Sequence, residues 1–180
     1  LDFDGGYRIE ANLINTAPFS CDSDDGLHYL PEDAIQSLTK ASEANISIVV
    51  MHHSPDWFEF SQKKELEGIV AQRCSLAFYG HEHLPGAQNV LYDNGSRIVK
   101  QAGGAWWQSS SPMFSEYYAA LFDTESRKYS LNKFSWNADR LTFVSSSSQD
   151  HILMAKPLCG TKLIYREDYI ATVMDDTKNT

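Results

Sequence analysis

Two short apolar runs in this chain each end in histidine: Ile46–Met51 leads into His52-His53, and Leu76–Tyr79 leads through Gly80 into His81-Glu82-His83. Imidazole is the commonest metal-binding side chain near neutral pH. His-x-His in a loop can aim two rings at neighbouring positions, and His52 can add a third from an adjacent strand end. The chemistry predicted is therefore a divalent-metal site.

The elements that must position these rings are readable. Ile46-Ser47-Ile48-Val49-Val50-Met51 is rich in β-branched residues and fits a strand buried on both faces. Ser61 can cap a helix whose apolar positions Leu66, Ile69 and Val70 recur at helical spacing. Leu76-Ala77-Phe78-Tyr79 is a second strand. Strand, helix and strand at this length read as one βαβ unit with parallel strands. Ligands in such sheets lie beyond the carboxyl ends of the strands. Both histidine clusters leave their strands there, and Gly80 allows a sharp turn and close backbone approach.

With those residues in place, the sequence resembles the calcineurin-like metallophosphoesterases, over roughly Gly6 to Val144. MHHSPDW and YGHEH look like that family's last two metal motifs, a strand ending in His-His-Pro and a Gly-His-x-His loop. Ser54 stands where proline is usual, with Pro55 one place later, so His52 and His53 are both open as the ligand. The family ligand lies two places before the usual proline, which favours His52 and leaves His53 to face substrate or brace the ligands. The resemblance implies His52 and His81 on one ion, His83 on the other and His53 in a catalytic role. The cofactors would be two divalent ions (Mn, Fe or Zn), about 3.5–4 Å apart, clamping phosphate oxygens and activating water. It also implies a two-sheet β-sandwich flanked by helices, with a phosphorylated small molecule or protein as substrate for mono- or diester hydrolysis.

The family's earlier motifs, Asp-x-His, Gly-Asp-x-x-Asp and Gly-Asn-His-Asp/Glu, do not occur in residues 1–51. The expectation is an α/β (α+β layered) chain that forms the carboxyl-terminal half of the catalytic domain, with the amino-terminal half of that domain as its missing partner. Three imidazoles bring no negative charge to two dications, so the isolated chain is expected to be nearly inactive. Two other classes compete. A mononuclear three-histidine zinc hydrolase would keep an open fourth position for water, with Glu82 or Asp56 as base. A non-catalytic binding module would keep the fold without the chemistry.

Bulk properties narrow the partners. The 180 residues carry a net charge of −9, which argues against a broad nucleic-acid or anionic-membrane footprint. No apolar run approaches the roughly 20 residues of a membrane span. Cys21, Cys74 and Cys159 are few and widely spaced, which suggests buried thiols and a reducing, cytoplasmic setting.

The remaining chain reads in order. Leu1–Gly6 is an irregular lead-in. Tyr7–Asn15 is a strand with Ile9, Ala11 and Leu13 on one side. Thr16–His28 is a loop with a solvated acidic cluster. Pro31 opens a helix with Ala34, Ile35, Leu38 and Ala41 on its apolar face. Asn89–Tyr92 and Arg97–Gln101 flank a hairpin turn at Asn94-Gly95. Trp106 and Trp107 either stack on a nucleobase or line a pocket mouth or, the plainer reading, cover the sheet. Tyr117–Phe122 and Tyr129–Phe134 form a second hairpin, and both hairpins suit a second sheet packed on the first. Leu141–Val144 is a further strand. The serine run from Ser145 marks a boundary, giving residues 1–144 as the half-domain and 145–180 as an extension. His28 and His151 read as surface residues.

Overall fold

The structure is a computed structural model, and it describes residues 1–3, 7–18, 20, 25–40, 42–81, 86–92, 95–104, 115–123, 126 and 128–152. Its elements are β1 (Asp2–Phe3), β2 (Tyr7–Ile14), α1 (Glu32–Thr39), β3 (Ile46–Met51), a 3-10 helix (Pro55–Trp57), α2 (Phe60–Arg73) and β4 (Leu76–Tyr79). After these come β5 (Gly86–Leu91), β6 (Arg97–Ala102), β7 (Glu116–Asp123), β8 (Lys128–Asn137) and β9 (Thr142–Ile152). A six-stranded sheet runs in the order β1-β2-β3-β4-β6-β5, and a three-stranded sheet in the order β7-β8-β9. The fold is mixed α/β, broadly α+β.

β3 and β4 pair in parallel, Ile48 opposite Leu76 and Met51 opposite Tyr79, with α2 in the crossover. The predicted βαβ unit is therefore present. α2 buries Leu66, Ile69, Val70 and Ala71, as the spacing requires. Each large side chain so buried contributes roughly 1.5–3 kcal/mol. The cap, however, is Glu59 and not Ser61. The Glu59 carboxylate accepts from the Ser61 backbone N–H at 2.9 Å and from Gln62 N–H at 3.4 Å. The Ser61 hydroxyl donates to the same oxygen, and these bonds hold the carboxyl below its usual range. A charged acceptor meets the amino-terminal N–H groups and the positive end of the helix dipole together.

Gln62 is buried and pins the loop ahead of α1 to α2. Its Nε2 donates to the Leu30 carbonyl at 2.9 Å, and its Oε1 accepts from Leu30 N–H at 2.6 Å. Pro31 sits one place before the helix and not at its first position. Ile35 and Leu38 are buried, and Ala41 lies outside the described residues. With Leu66, Ile69, Val70, Val49, Met51 and Ile98 they make the core between the helices and the large sheet.

The other face of the large sheet is only partly covered. Tyr129 and Leu131 of β8 pack on Ile9, Ile46, Leu76 and Val99. The next row, Leu13 opposite Val50 opposite Phe78, lines an open depression that reaches His52 and Gly103. Leu13 is 74% exposed there. The side of β2 that carries Ile9, Ala11 and Leu13 is thus buried at Ile9, beneath Tyr129 and Leu131, and exposed at Ala11 and Leu13.

Several expectations change. The lead-in contains β1, which pairs Asp2 with Arg8 and Phe3 with Tyr7. Both hairpins form, but the first joins the large sheet, since Arg97–Ala102 adds in parallel to β4. Only the second hairpin, with β9, builds the small sheet. The serine run does not end a structural unit. β9 continues through it, Ser145 opposite Phe134 and Ser148 opposite Asn132, because serine hydroxyls are tolerated on an exposed pleated face. Residues 153–180 lie outside the described residues. His151 is buried, with its ring beside Tyr129 and its Nδ1 2.8 Å from Asn89 Nδ2. Cys74 is buried, with its Sγ 3.8 Å from Ser47 Oγ, and Cys21 and Cys159 are not among the described residues. Among the described residues no helix is long and apolar enough to cross a membrane.

Candidate metal centre

The two histidine loops meet because β3 and β4 are neighbours of equal reach. Met51 and Tyr79 are paired, so the residues after them leave the sheet side by side. Gly80 N–H donates to the Met51 carbonyl at 3.1 Å and ties the two exits together. A Cβ on Gly80 would stand 2.9 Å from His52 Nδ1, closer than real Cβ contacts allow. Only glycine lets the His52 ring lie across that backbone, so the close approach read from the sequence is real. The left-handed turn falls one residue later, on His81, whose φ is 61°. A non-glycine residue there pays about 1–2 kcal/mol, and such residues gather at functional sites.

His52 Nε2 and His81 Nδ1 are 3.2 Å apart, and both rings are exposed. Two imidazole nitrogens held about 2.0–2.1 Å from one tetrahedral ion would be separated by roughly 3.3–3.4 Å. The pair fits a shared ion. The His52 pKa is lowered, first by burial, then by the like charges of His81 and His28. Each of these favours the neutral ring that a metal requires.

His53 sits below this pair and is 1% exposed. Its backbone N–H donates to Thr16 Oγ1 at 2.9 Å. Its ring Nδ1 lies 3.0 Å from the same hydroxyl, and its Nε2 lies 3.3 Å from Ser20 Oγ. In either tautomer one ring nitrogen donates and the other accepts, so both are engaged by the two hydroxyls. Neither nitrogen then offers a lone pair to an ion, although His52, His53 and His81 have ligand atoms within 4.8 Å of one another.

His28, expected at the surface, is 2% exposed and packs on His53 with ring centroids 4.0 Å apart and the planes tilted by 37°. It is drawn in by backbone bonds: His28 N–H to the Trp57 carbonyl at 3.1 Å and Glu59 N–H to the His28 carbonyl at 3.0 Å. Trp57 stands edge-on to His81, centroids 4.2 Å apart. Thr16, Ser20, His28 and Trp57 were not legible as site residues. A lone histidine, two loop hydroxyls and a single tryptophan carry no spacing signal.

Among the described residues the cluster contains no carboxylate. Asp56 is turned to Lys63, whose Nζ lies 2.5 Å from its Oδ1. Tyr79 is buried, and that burial pushes its phenol far above the usual range, so it supplies no anion either. His83 and Glu82 lie outside the described residues, as do Trp106 and Trp107. Gly103 N–H donates to the Tyr79 carbonyl at 2.7 Å, so small residues do bring backbone against this end of the sheet.

No known family profile and no curated protein matches this sequence.

Proposed function

We propose that the crevice at the carboxyl ends of β3 and β4 is part of a divalent-metal centre for phosphoester hydrolysis, of the calcineurin-like kind. The observation that carries this reading is the 3.2 Å separation of His52 Nε2 and His81 Nδ1 on adjacent parallel strands. These two rings would hold one ion, and His83 would serve a second. The ions would supply Lewis acidity toward phosphoryl oxygens. His53 braces the crevice floor through Thr16 and Ser20, so the catalytic role first considered for it becomes support of the ligands. Substrates are phosphomonoesters or diesters on a small molecule or protein.

Two dications need anionic ligands, and the described cluster offers only neutral nitrogen. The reading therefore takes its carboxylates from outside the described cluster, and this chain alone is expected to be nearly inactive. A mononuclear zinc site is the second reading, favoured by the proximity of three histidines. The hydroxyl bonds to His53 and the Lys63 partner of Asp56 weigh against it.

The test is elemental analysis of the purified chain after equilibration with Mn²⁺ or Zn²⁺ and desalting, together with turnover of bis(p-nitrophenyl) phosphate. A single bound ion per chain, a lower load in His81→Ala and negligible turnover are expected. Equal metal content in wild type and His81→Ala defeats the metal site. Enzyme-like turnover abolished by His83→Ala defeats the incomplete-centre reading, and one tight zinc with three nitrogen ligands favours the mononuclear alternative.

A further inference from the structure

We infer that Trp57 is a positioning residue: it holds the His81 ring against His52 in a conformation that the backbone alone disfavours. The inference rests on the metal reading for its purpose, but its geometry is independent of any ion.

His81 follows Gly80 with a left-handed φ of 61°, so contacts around its side chain must secure it. Its exposed ring has three aromatic neighbours. Trp57 lies 4.2 Å away at 73°, His53 at 4.6 Å and His52 at 5.1 Å. The Trp57 contact is the nearest and has edge-to-face geometry, the favoured arrangement for aromatic rings. The two histidines cannot do this work alone. His52 is the partner to be met, and His53 is committed to Thr16 and Ser20.

Trp57 is itself fixed. It closes the 3-10 helix, with its N–H donating to the Ser54 carbonyl at 3.1 Å and its carbonyl accepting from His28 N–H at 3.1 Å. Its side chain packs against the helix-side core. The neighbouring Phe58 is bridged to His28. A rigid tryptophan thus reaches from the core to the rim and fixes which way His81 points. Outer groups that orient metal ligands typically change affinity 10- to 100-fold when removed.

The test compares Trp57→Phe, which keeps a ring edge, with Trp57→Leu, which keeps apolar bulk without one. In the metal-free full chain, a nuclear Overhauser contact between the His52 and His81 ring protons is expected in wild type and Trp57→Phe and is expected to vanish in Trp57→Leu. Co²⁺ titration should show Trp57→Phe within about threefold of wild type and Trp57→Leu at least about tenfold weaker, with similar melting temperatures. A Trp57→Leu chain that keeps the His52–His81 contact overturns the inference. So does an affinity loss shared by both variants and tracking a drop in melting temperature. If wild type shows the ring contact but binds no Co²⁺, the metal reading falls while the positioning role of Trp57 stands.

Discussion

The rim and the floor of the crevice use the same side chain for different ends. On the rim, His52 and His81 are exposed and face each other across 3.2 Å. On the floor, His53 and His28 are 1% and 2% exposed and pack as tilted rings 4.0 Å apart. His52 and His53 are neighbours in the chain, and their environments diverge because successive residues leaving a strand point to opposite sides. The rim rings meet each other at the exposed edge, where an ion could replace the contact between their nitrogens. The His53 nitrogens are taken up by Thr16 and Ser20, so that ring secures the loop ahead of α1 to the end of β3. Histidine content alone therefore says little about ligation. What decides is whether a nitrogen is left uncommitted and within reach of solvent.

The largest effect expected from this contrast is on stability. His53→Ala removes a buried ring with two hydroxyl partners and should cost about 2–4 kcal/mol in chemical denaturation. His52→Ala, on the rim, should stay within about 0.5 kcal/mol while weakening metal binding. Equal costs for the two would erase the distinction. A middle-sized effect belongs to Gly80→Ala. The added methyl would meet His52 Nδ1 at 2.9 Å and displace the ring, so Zn²⁺ affinity should fall about tenfold with little loss of fold. Unchanged affinity would mean that the ring yields freely.

The smallest effect is a matter of protons. The His52 pKa is depressed, so between its folded value and the ordinary 6.5 the unfolded chain binds more protons. Its contribution to stability is present above about pH 6.5 and is lost as pH falls through the lowered folded value. Proton NMR of the metal-free chain should show His52 titrating below 6.5, with a rise toward that value in His81→Gln as one like charge is removed. A His52 that titrates at or above 6.5 would contradict the crowded rim.

Much of the scaffold was legible. β-branched runs of strand length and a helix-period segment between them left few arrangements other than βαβ, and Asn94-Gly95 announced its hairpin. The membership of the two sheets was harder. Alternation marked β2 and the Asn94-Gly95 turn marked β5 and β6 as strands, but neither showed that β6 would enter the large sheet in parallel beside β4. Ser145–Ser148 looked like a boundary because composition cannot tell an exposed edge strand from a linker, whereas ladder pairing with β8 can.

The sequence by itself determined the two histidine clusters, their places at strand ends and the glycine that precedes one of them. These are local matters, written in residue type and spacing. Only the tertiary structure decided which imidazoles face each other, which are sealed beneath and which residues hold them. His28 reaches His53 through backbone bonds to the 3-10 helix, and Trp57 reaches His81 from the core. Such contacts join segments far apart in the chain, and their energy depends on distances that folding alone sets.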